Sequence, residues 1–134
     1  MIKELKSVIG IMRANNKLIL DLKQTLLNYD INQSEFAVLE YLFHKGRKNI
    51  DEIRKHILLT SGSVTYVIDK LEQKNYVIRT ICSTDKRIFW VDITQKGKNL
   101  ISEIFPLHKL NTKNIFKNLK EEEILLLNKL LQKI

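Results

Sequence analysis

The segment 58–97, "LLTSGSVTYVIDKLEQKNYVIRTICSTDKRIFWVDITQKG", changes its hydrophobic period partway along, and that change constrains the fold more than any other feature of the chain. In its first half Val64, Val67, Ile68 and Leu71 fall at i, i+3, i+4 and i+7, which predicts one buried face of a helix over about 61–74. In its second half "YVIRTI" and "IFWVDI" are short, β-branched and aromatic, and the polar "CSTDKR" between them makes the pair a β-hairpin. A period of two puts Phe89, Val91 and Ile93 on one face and Ile88, Trp90 and Asp92 on the other. Helices packed behind the hairpin favour Phe89, Val91 and Ile93 as the core side.

The remainder reads as helix. Leu5, Val8, Ile9, Met12, Ile19, Leu22, Leu26 and Leu27 recur at steps of three and four and predict a long helix over about 2–28. Asn32 or Ser34 caps a second helix with Phe36, Leu39, Leu42 and Phe43 inward, and Gly46 stops it. "NIDEIRKHIL" gives a third helix with Asp51 at its positive end and Ile53 and Ile57 inward. Thr94 caps a helix over about 95–114 with Leu100, Ile104, Leu107 and Leu110 as its stripe and a kink expected at Pro106. "KEEEILLLNKLLQKI" closes the chain with three acids in its first turn and a leucine face. The apolar stripes of the first and last helices exceed what 134 residues can bury, so a homodimer is expected.

The fold expected is mainly α with a small β-wing, and the helix set and charge exclude several functions. No run approaches the roughly 20 apolar residues of a membrane span, so the protein is expected in the cytoplasm with no membrane partner. His44, His56 and His108 are scattered and Cys82 is the one cysteine, which gives no metal-ligand spacing and no internal disulfide. With no glycine-rich phosphate loop, no HExxH and no His/Cys pair, no catalytic residue, cofactor or metal is expected, and the chain is not read as an enzyme. The net charge of +8 points to a polyanion or to a plain basic surface. Of the 23 cations 18 are lysines, which suit phosphate as point charges better than bidentate base reading.

Three short helices followed by a hairpin are the parts of a winged helix-turn-helix, whose last helix enters the major groove while the hairpin reaches the minor groove. On that reading the hydroxyls at the start of the helix over 61–74 acquire a purpose. Free backbone N–H groups at a helix start reach a phosphate only past short side chains, and Thr60, Ser61, Gly62 and Ser63 are short. One capping residue accounts for one hydroxyl, not for several. Thr65, Tyr66 and Lys70 continue the exposed face. At the hairpin tip Asp85, Lys86 and Arg87 are either a solvated turn or a minor-groove device in which Asp85 orients Arg87.

In these residues the chain resembles a known family. "EFAVLEYL", "LLTSGSVTYVIDKLEQKNYVIR", "STDKR" and "VDITQKGKNLI" run in order over about 32–101 and resemble the MarR family of bacterial transcription regulators. The resemblance implies a single MarR-type unit over 1–134, with a DNA-binding lobe over about 32–96 and dimerisation helices over about 2–28 and 97–134. It implies a homodimer on a pseudo-palindromic double-stranded operator, a repressor released by a small-molecule effector or by oxidation. Carried across by position, Ser61, Ser63, Thr65 and Lys70 contact the major groove and nearby phosphates, Asp85 and Arg87 form the wing tip, and Thr84 and Lys86 meet the backbone.

The rival is a winged-helix module that binds an acidic protein instead of specific DNA. The ligand pocket of such folds lies where the dimerisation helices meet the lobe, which nominates Met12, Asn16, Phe36, Tyr41 and Trp90. Lys120 stands where the family often has a capping hydroxyl, so a displaced or weaker start is expected for the last helix. Asn15 and Asn16 occupy the first-helix region where redox members carry cysteine, so peroxide sensing by that route is not expected. Cys82 is either a small residue packed beside the sheet or a redox-active thiol, its pKa lowered by Arg79 and Arg87, as in the branch of the family that responds to quinones and similar electrophiles.

Overall fold

A computed structural model describes residues 2–57 and 64–134 of the chain. Its elements follow as α1 (Lys3–Thr25), α2 (Gln33–Lys45), β1 (Lys48–Asn49), α3 (Ile50–His56), α4 (Val64–Gln73), β2 (Val77–Ile81), β3 (Phe89–Ile93), α5 (Gln95–Ile115) and α6 (Glu121–Leu131). They fall into two units, Leu26–Phe105 and the pair Met1–Thr25 with Pro106–Ile134. The mainly helical chain with a small antiparallel sheet is the expected fold class.

In the larger unit α2 starts on a capping box. Asn32 Oδ1 accepts the Glu35 backbone N–H at 2.8 Å, and Glu35 Oε1 accepts the Asn32 N–H at 3.1 Å. The helix ends at Gly46, whose φ of 78° lies in the left-handed region that glycine enters without strain. Leu39, Leu42, Ile53, Ile68, Leu71, Val91, Ile101 and Ile104 form the centre of the core. Val64, Val67, Ile68 and Leu71, the four residues that set the helical period in the sequence, are all buried.

The hairpin pairs as expected, with Val77 opposite Ile93, Arg79 opposite Val91 and Ile81 opposite Phe89. A strand absent from the sequence expectation lies on the other edge of β3. β1 pairs Lys48 with Val91 and Asn49 with Trp90, giving the order β1-β3-β2. Two residues carry no readable period, so this strand is invisible to pattern. Asn49 ends β1 and caps α3 as well, its Oδ1 accepting the Glu52 N–H at 2.8 Å.

Glu35 is 4% exposed, and a buried carboxylate needs partners. Lys74, just past the end of α4, supplies one, its Nζ 2.8 Å from Glu35 Oε2 and also bonded to the Asp30 carbonyl. Tyr76 donates its hydroxyl to Asp30 Oδ1 at 2.6 Å. Burial, reinforced by that carboxylate, pushes the Tyr76 phenol up to about 12. These bonds tie the entry to α2 to the turn between α4 and β2, where Asn75 takes φ 65°.

The start of α5 is seated on the same turn. Thr94 donates its hydroxyl to the Asn75 carbonyl at 2.7 Å and accepts the Gly97 N–H at 3.1 Å, so the expected cap forms. Gly97 is packed so closely that a Cβ there would meet Tyr76 O at 2.4 Å and Ile93 Cγ1 at 2.7 Å.

Several expected core positions are corrected. Phe43 is exposed, because α2 buries Glu35, Val38 and Leu42 beside Phe36 and Leu39. Phe89 is exposed at the wing end of β3 while Val91 and Ile93 are buried. In α5 the inward residues are Gly97, Ile101 and Ile104; Leu107 and Leu110, expected on the buried stripe, are exposed.

The smaller unit contains α1, α6 and the part of α5 from Pro106 onward. Helix α1 stops at Thr25, short of the expected end near 28, with Thr25 donating to the Asp21 carbonyl at 3.0 Å and accepting from Asn111 Nδ2 at 2.9 Å. Leu5, Val8, Ile9 and Met12 on α1 and Leu125, Leu126, Leu130 and Leu131 on α6 are exposed, and α6 buries no residue. Lys120 starts α6 without a side-chain cap, as its lack of a hydroxyl implies, yet its N–H donates to Glu123 Oε1 at 2.9 Å and holds the helix start in place. Among the described residues no helix is long and apolar enough to cross a membrane.

Candidate nucleic-acid interface

Helix α4 presents Thr65 and Tyr66 to solvent and Lys70 beside them, with Lys70 Nζ 5.5 Å from the centre of the Tyr66 ring. That spacing is a cation–π contact one turn along the helix, which gathers an aromatic ring and an ammonium on one face. Thr60, Ser61 and Ser63, expected at the amino end of this surface, lie outside the described residues.

The wing tip is a closed turn. The Cys82 N–H donates to the Ile88 carbonyl at 2.9 Å and the Ile88 N–H donates to the Asp85 carbonyl at 3.0 Å. Within it Asp85 accepts from both Nε and Nη2 of Arg87, each at 3.0 Å. The Arg87 guanidinium holds the Asp85 carboxyl below the usual carboxylate range and is itself raised. Arg87 remains 89% exposed, so its outer edge is free for a further acceptor. Lys86 and Thr84 are exposed beside it. Lys70 and Lys86 enter no ion pair among the described residues, unlike Lys48, Arg54, Lys74, Arg79 and Arg87, each of which faces a carboxylate.

Cys82 is buried at 9% exposure, just past the end of β2. A hydrogen bond with the Thr84 hydroxyl, Sγ to Oγ1 at 3.2 Å, is the largest cause that lowers its thiol pKa, followed by the backbone amides of Thr84 and Asp85. The expected cause was different. Arg79 is taken up by Asp69 and Glu72, and Arg87 by Asp85, so neither arginine is what tunes the thiol.

The five pocket residues have different surroundings. Met12 and Asn16 are exposed on α1 of the smaller unit. In the larger unit Phe36 is a core residue at 2% exposure. Trp90 lies on the sheet with the Arg47 guanidinium 4.8 Å over its ring. Tyr41 stacks on His56 with ring centres 3.8 Å apart and lines an open cleft of about 790 Å³ together with Glu40, His44 and Lys45.

Sequence reasoning missed the bridge made by Arg79. Its Nη2 bonds Asp69 and lies 3.2 Å from Glu72 Oε1, and its backbone N–H donates to Glu72 Oε2 at 3.0 Å. The signal was present. Arg79 shares the strand face of the buried Val77, and an inward cation on a strand needs a carboxylate, which Asp69 and Glu72 supply one turn apart on the preceding helix.

Comparison with known proteins places this geometry in a family. The model of the MarR family matches residues 31–89. The HTH-type transcriptional regulator MhqR of Bacillus subtilis is 39% identical over 132 residues, spanning 98% of this chain and 91% of that protein. A mutant of MarR from E. coli complexed with operator DNA is similar at a TM-score of 0.83 and 26% identity, covering 98% of this chain and 93% of that one. Bordetella bronchiseptica BpsR, whose DNA binding is regulated by 6-hydroxynicotinic acid, shares the fold at a TM-score of 0.85 and 23% identity, covering 96% of this chain and 97% of that one.

Proposed function

The chain belongs to the MarR family of DNA-binding transcriptional regulators, and on that premise we propose that it acts in the cytoplasm as a homodimeric repressor of a pseudo-palindromic operator. The lobe over about 32–96 binds one half-site, and the helices over about 2–28 and 97–134 join it to a second copy. Thr65, Tyr66 and Lys70, with Thr60, Ser61 and Ser63 before them, enter the major groove. Thr84, Asp85, Lys86 and Arg87 meet the adjacent backbone and minor groove. In such dimers the half-sites lie about one helical turn apart, roughly 34–36 Å.

The observation that carries this reading is the wing tip. A turn that needed only solvation would have no use for a bidentate carboxylate–guanidinium pair with the arginine 89% exposed. Holding the fork while leaving its outer edge open is what insertion into a narrow groove requires. The bare apolar faces of α1 and α6 support the second copy.

Release takes one of two forms in this reading. Tyr41 is the pocket candidate that lines an open cleft, and an effector seated there touches α2 and His56 of α3. Modification of Cys82 acts at the wing itself, since its N–H closes the wing turn.

Selection of bound duplexes from a random pool, followed by competition with unselected DNA across a salt series, tests the function. A regulator gives one enriched palindrome and a log K that falls steeply with log salt. Equal affinity for every duplex overturns the reading and leaves a protein-interaction module in its place. Sedimentation at micromolar protein is expected to give twice the 15.8 kDa chain mass.

A further inference from the structure

Asp69 sits on the side of α4 that faces away from the core, one turn beyond Thr65 and Tyr66 and next to Lys70. A carboxylate in that position repels phosphates. The chain answers it from the neighbouring strand: the Arg79 guanidinium bonds Asp69 Oδ1 and reaches Glu72 Oε1 through Nε at 3.3 Å and Nη2 at 3.2 Å. The Arg79 backbone N–H closes the bridge on Glu72 Oε2 at 3.0 Å. Asp69 and Glu72 are three residues apart on one helix, and a planar fork can span both where an ammonium meets one.

We propose that Arg79 is a positioning residue for DNA binding, one that withdraws the Asp69 carboxylate from the DNA-facing side of α4 and fixes the wing strand to that helix. The proposal rests on the DNA-binding reading above and assigns to Arg79 a part different from that of Lys70 or Lys86. Its guanidinium is spent on two carboxylates and is not a phosphate contact. Its effect reaches DNA through the Asp69 carboxylate that it holds. The three side chains sum to a charge of −1, and loss of Arg79 alone leaves −2 beside the phosphates.

The test uses the full chain and the operator duplex selected with it, with affinity read by fluorescence anisotropy and folding by urea midpoint. Arg79→Met is expected to weaken binding roughly tenfold at 0.1 M salt, the size of one uncompensated charge within a Debye length of several phosphates. Adding Asp69→Asn to that variant restores the net charge and is expected to bring affinity back to within about threefold of the wild type. Arg79→Lys, which keeps the charge and loses the fork, should fall between Arg79→Met and wild type. Asp69→Asn alone keeps the Glu72 half of the bridge and should bind as tightly as wild type or more so.

Three results would overturn the assignment. Unchanged affinity in Arg79→Met sinks it. A double variant as weak as Arg79→Met makes Arg79 a structural brace only. Asp69→Asn alone weakening binding tenfold makes Asp69 itself a DNA contact. A wild-type chain with no preference for any duplex is a separate failure, that of the DNA-binding reading.

Discussion

Asp85 holds Arg87 through both carboxylate oxygens while also accepting the Arg87 backbone N–H at 3.0 Å, so one aspartate fixes both the path of the wing tip and the direction of its arginine. The two roles separate by mutation. Arg87→Ala is expected to weaken operator binding roughly ten- to hundredfold, the range for an arginine that reads a groove. Asp85→Asn keeps the cation and loosens its aim, so a smaller loss is expected. Titration of labelled operator measures both, and equal affinity for Arg87→Ala and wild type returns the wing tip to a solvated turn.

Cys82 gives a chemical test of the wing. Its lowered pKa means that thiolate is present at a lower pH than for an ordinary cysteine. Alkylation by iodoacetamide should therefore reach half its maximal rate below the pH typical of a free thiol, and Thr84→Val, which removes the leading hydrogen bond, should move that midpoint upward. Alkylated protein is expected to lose operator binding, since the adduct lies beneath the turn closed by the Cys82 N–H. Full affinity after complete alkylation excludes the thiol as a switch.

Tyr76 makes stability depend on alkaline pH. The phenol rises from 10.0 in the unfolded chain to about 12 in the fold, so its contribution is fully present below pH 10 and is lost as pH climbs toward 12. Urea unfolding across that window should show stability falling. Tyr76→Phe should flatten the decline and lower stability near neutral pH by about 1 kcal/mol, the worth of a partly exposed hydrogen bond to a carboxylate. A variant with the same pH slope as wild type would assign the decline to another group.

Gly97 seats the start of α5 closely against Tyr76 and Ile93. Gly97→Ala must displace the Tyr76 carbonyl or the Ile93 side chain and is expected to cost about 1–3 kcal/mol of stability, measured by thermal or urea unfolding. Because Gly97 has no role on the DNA side, folded Gly97→Ala protein should bind operator normally. Loss of DNA binding in the folded variant would link α5 to the interface directly.

The strongest periodicities predicted the structure best. Val64, Val67, Ile68 and Leu71 predict both α4 and its buried face, and the β-branched runs predict both β2 and β3. Caps were legible wherever a side chain can do the capping, as at Asn32 and Thr94. What escaped was long-range or too short to have a period. β1 is two residues, and the Glu35–Lys74 and Arg79–Asp69 bridges join elements whose pairing depends on the assembled fold. Phe43, Phe89, Leu107 and Leu110 were misplaced because hydrophobicity reports which residues avoid water, not whether the same chain or another covers them. At the site, the wing pair Asp85–Arg87 was readable from its spacing. The cause of the Cys82 shift was not, since both arginines near it in sequence are occupied by other partners.

If the uncovered leucines of α6 meet a second copy as proposed, they tie activity to how much of the protein a cell holds. Where copies are scarce, the species able to grip two half-sites grows with the square of chain number, so a twofold change in expression produces about a fourfold change in occupancy-competent regulator. A promoter under its control would answer to dosage more sharply than a monomeric binder allows.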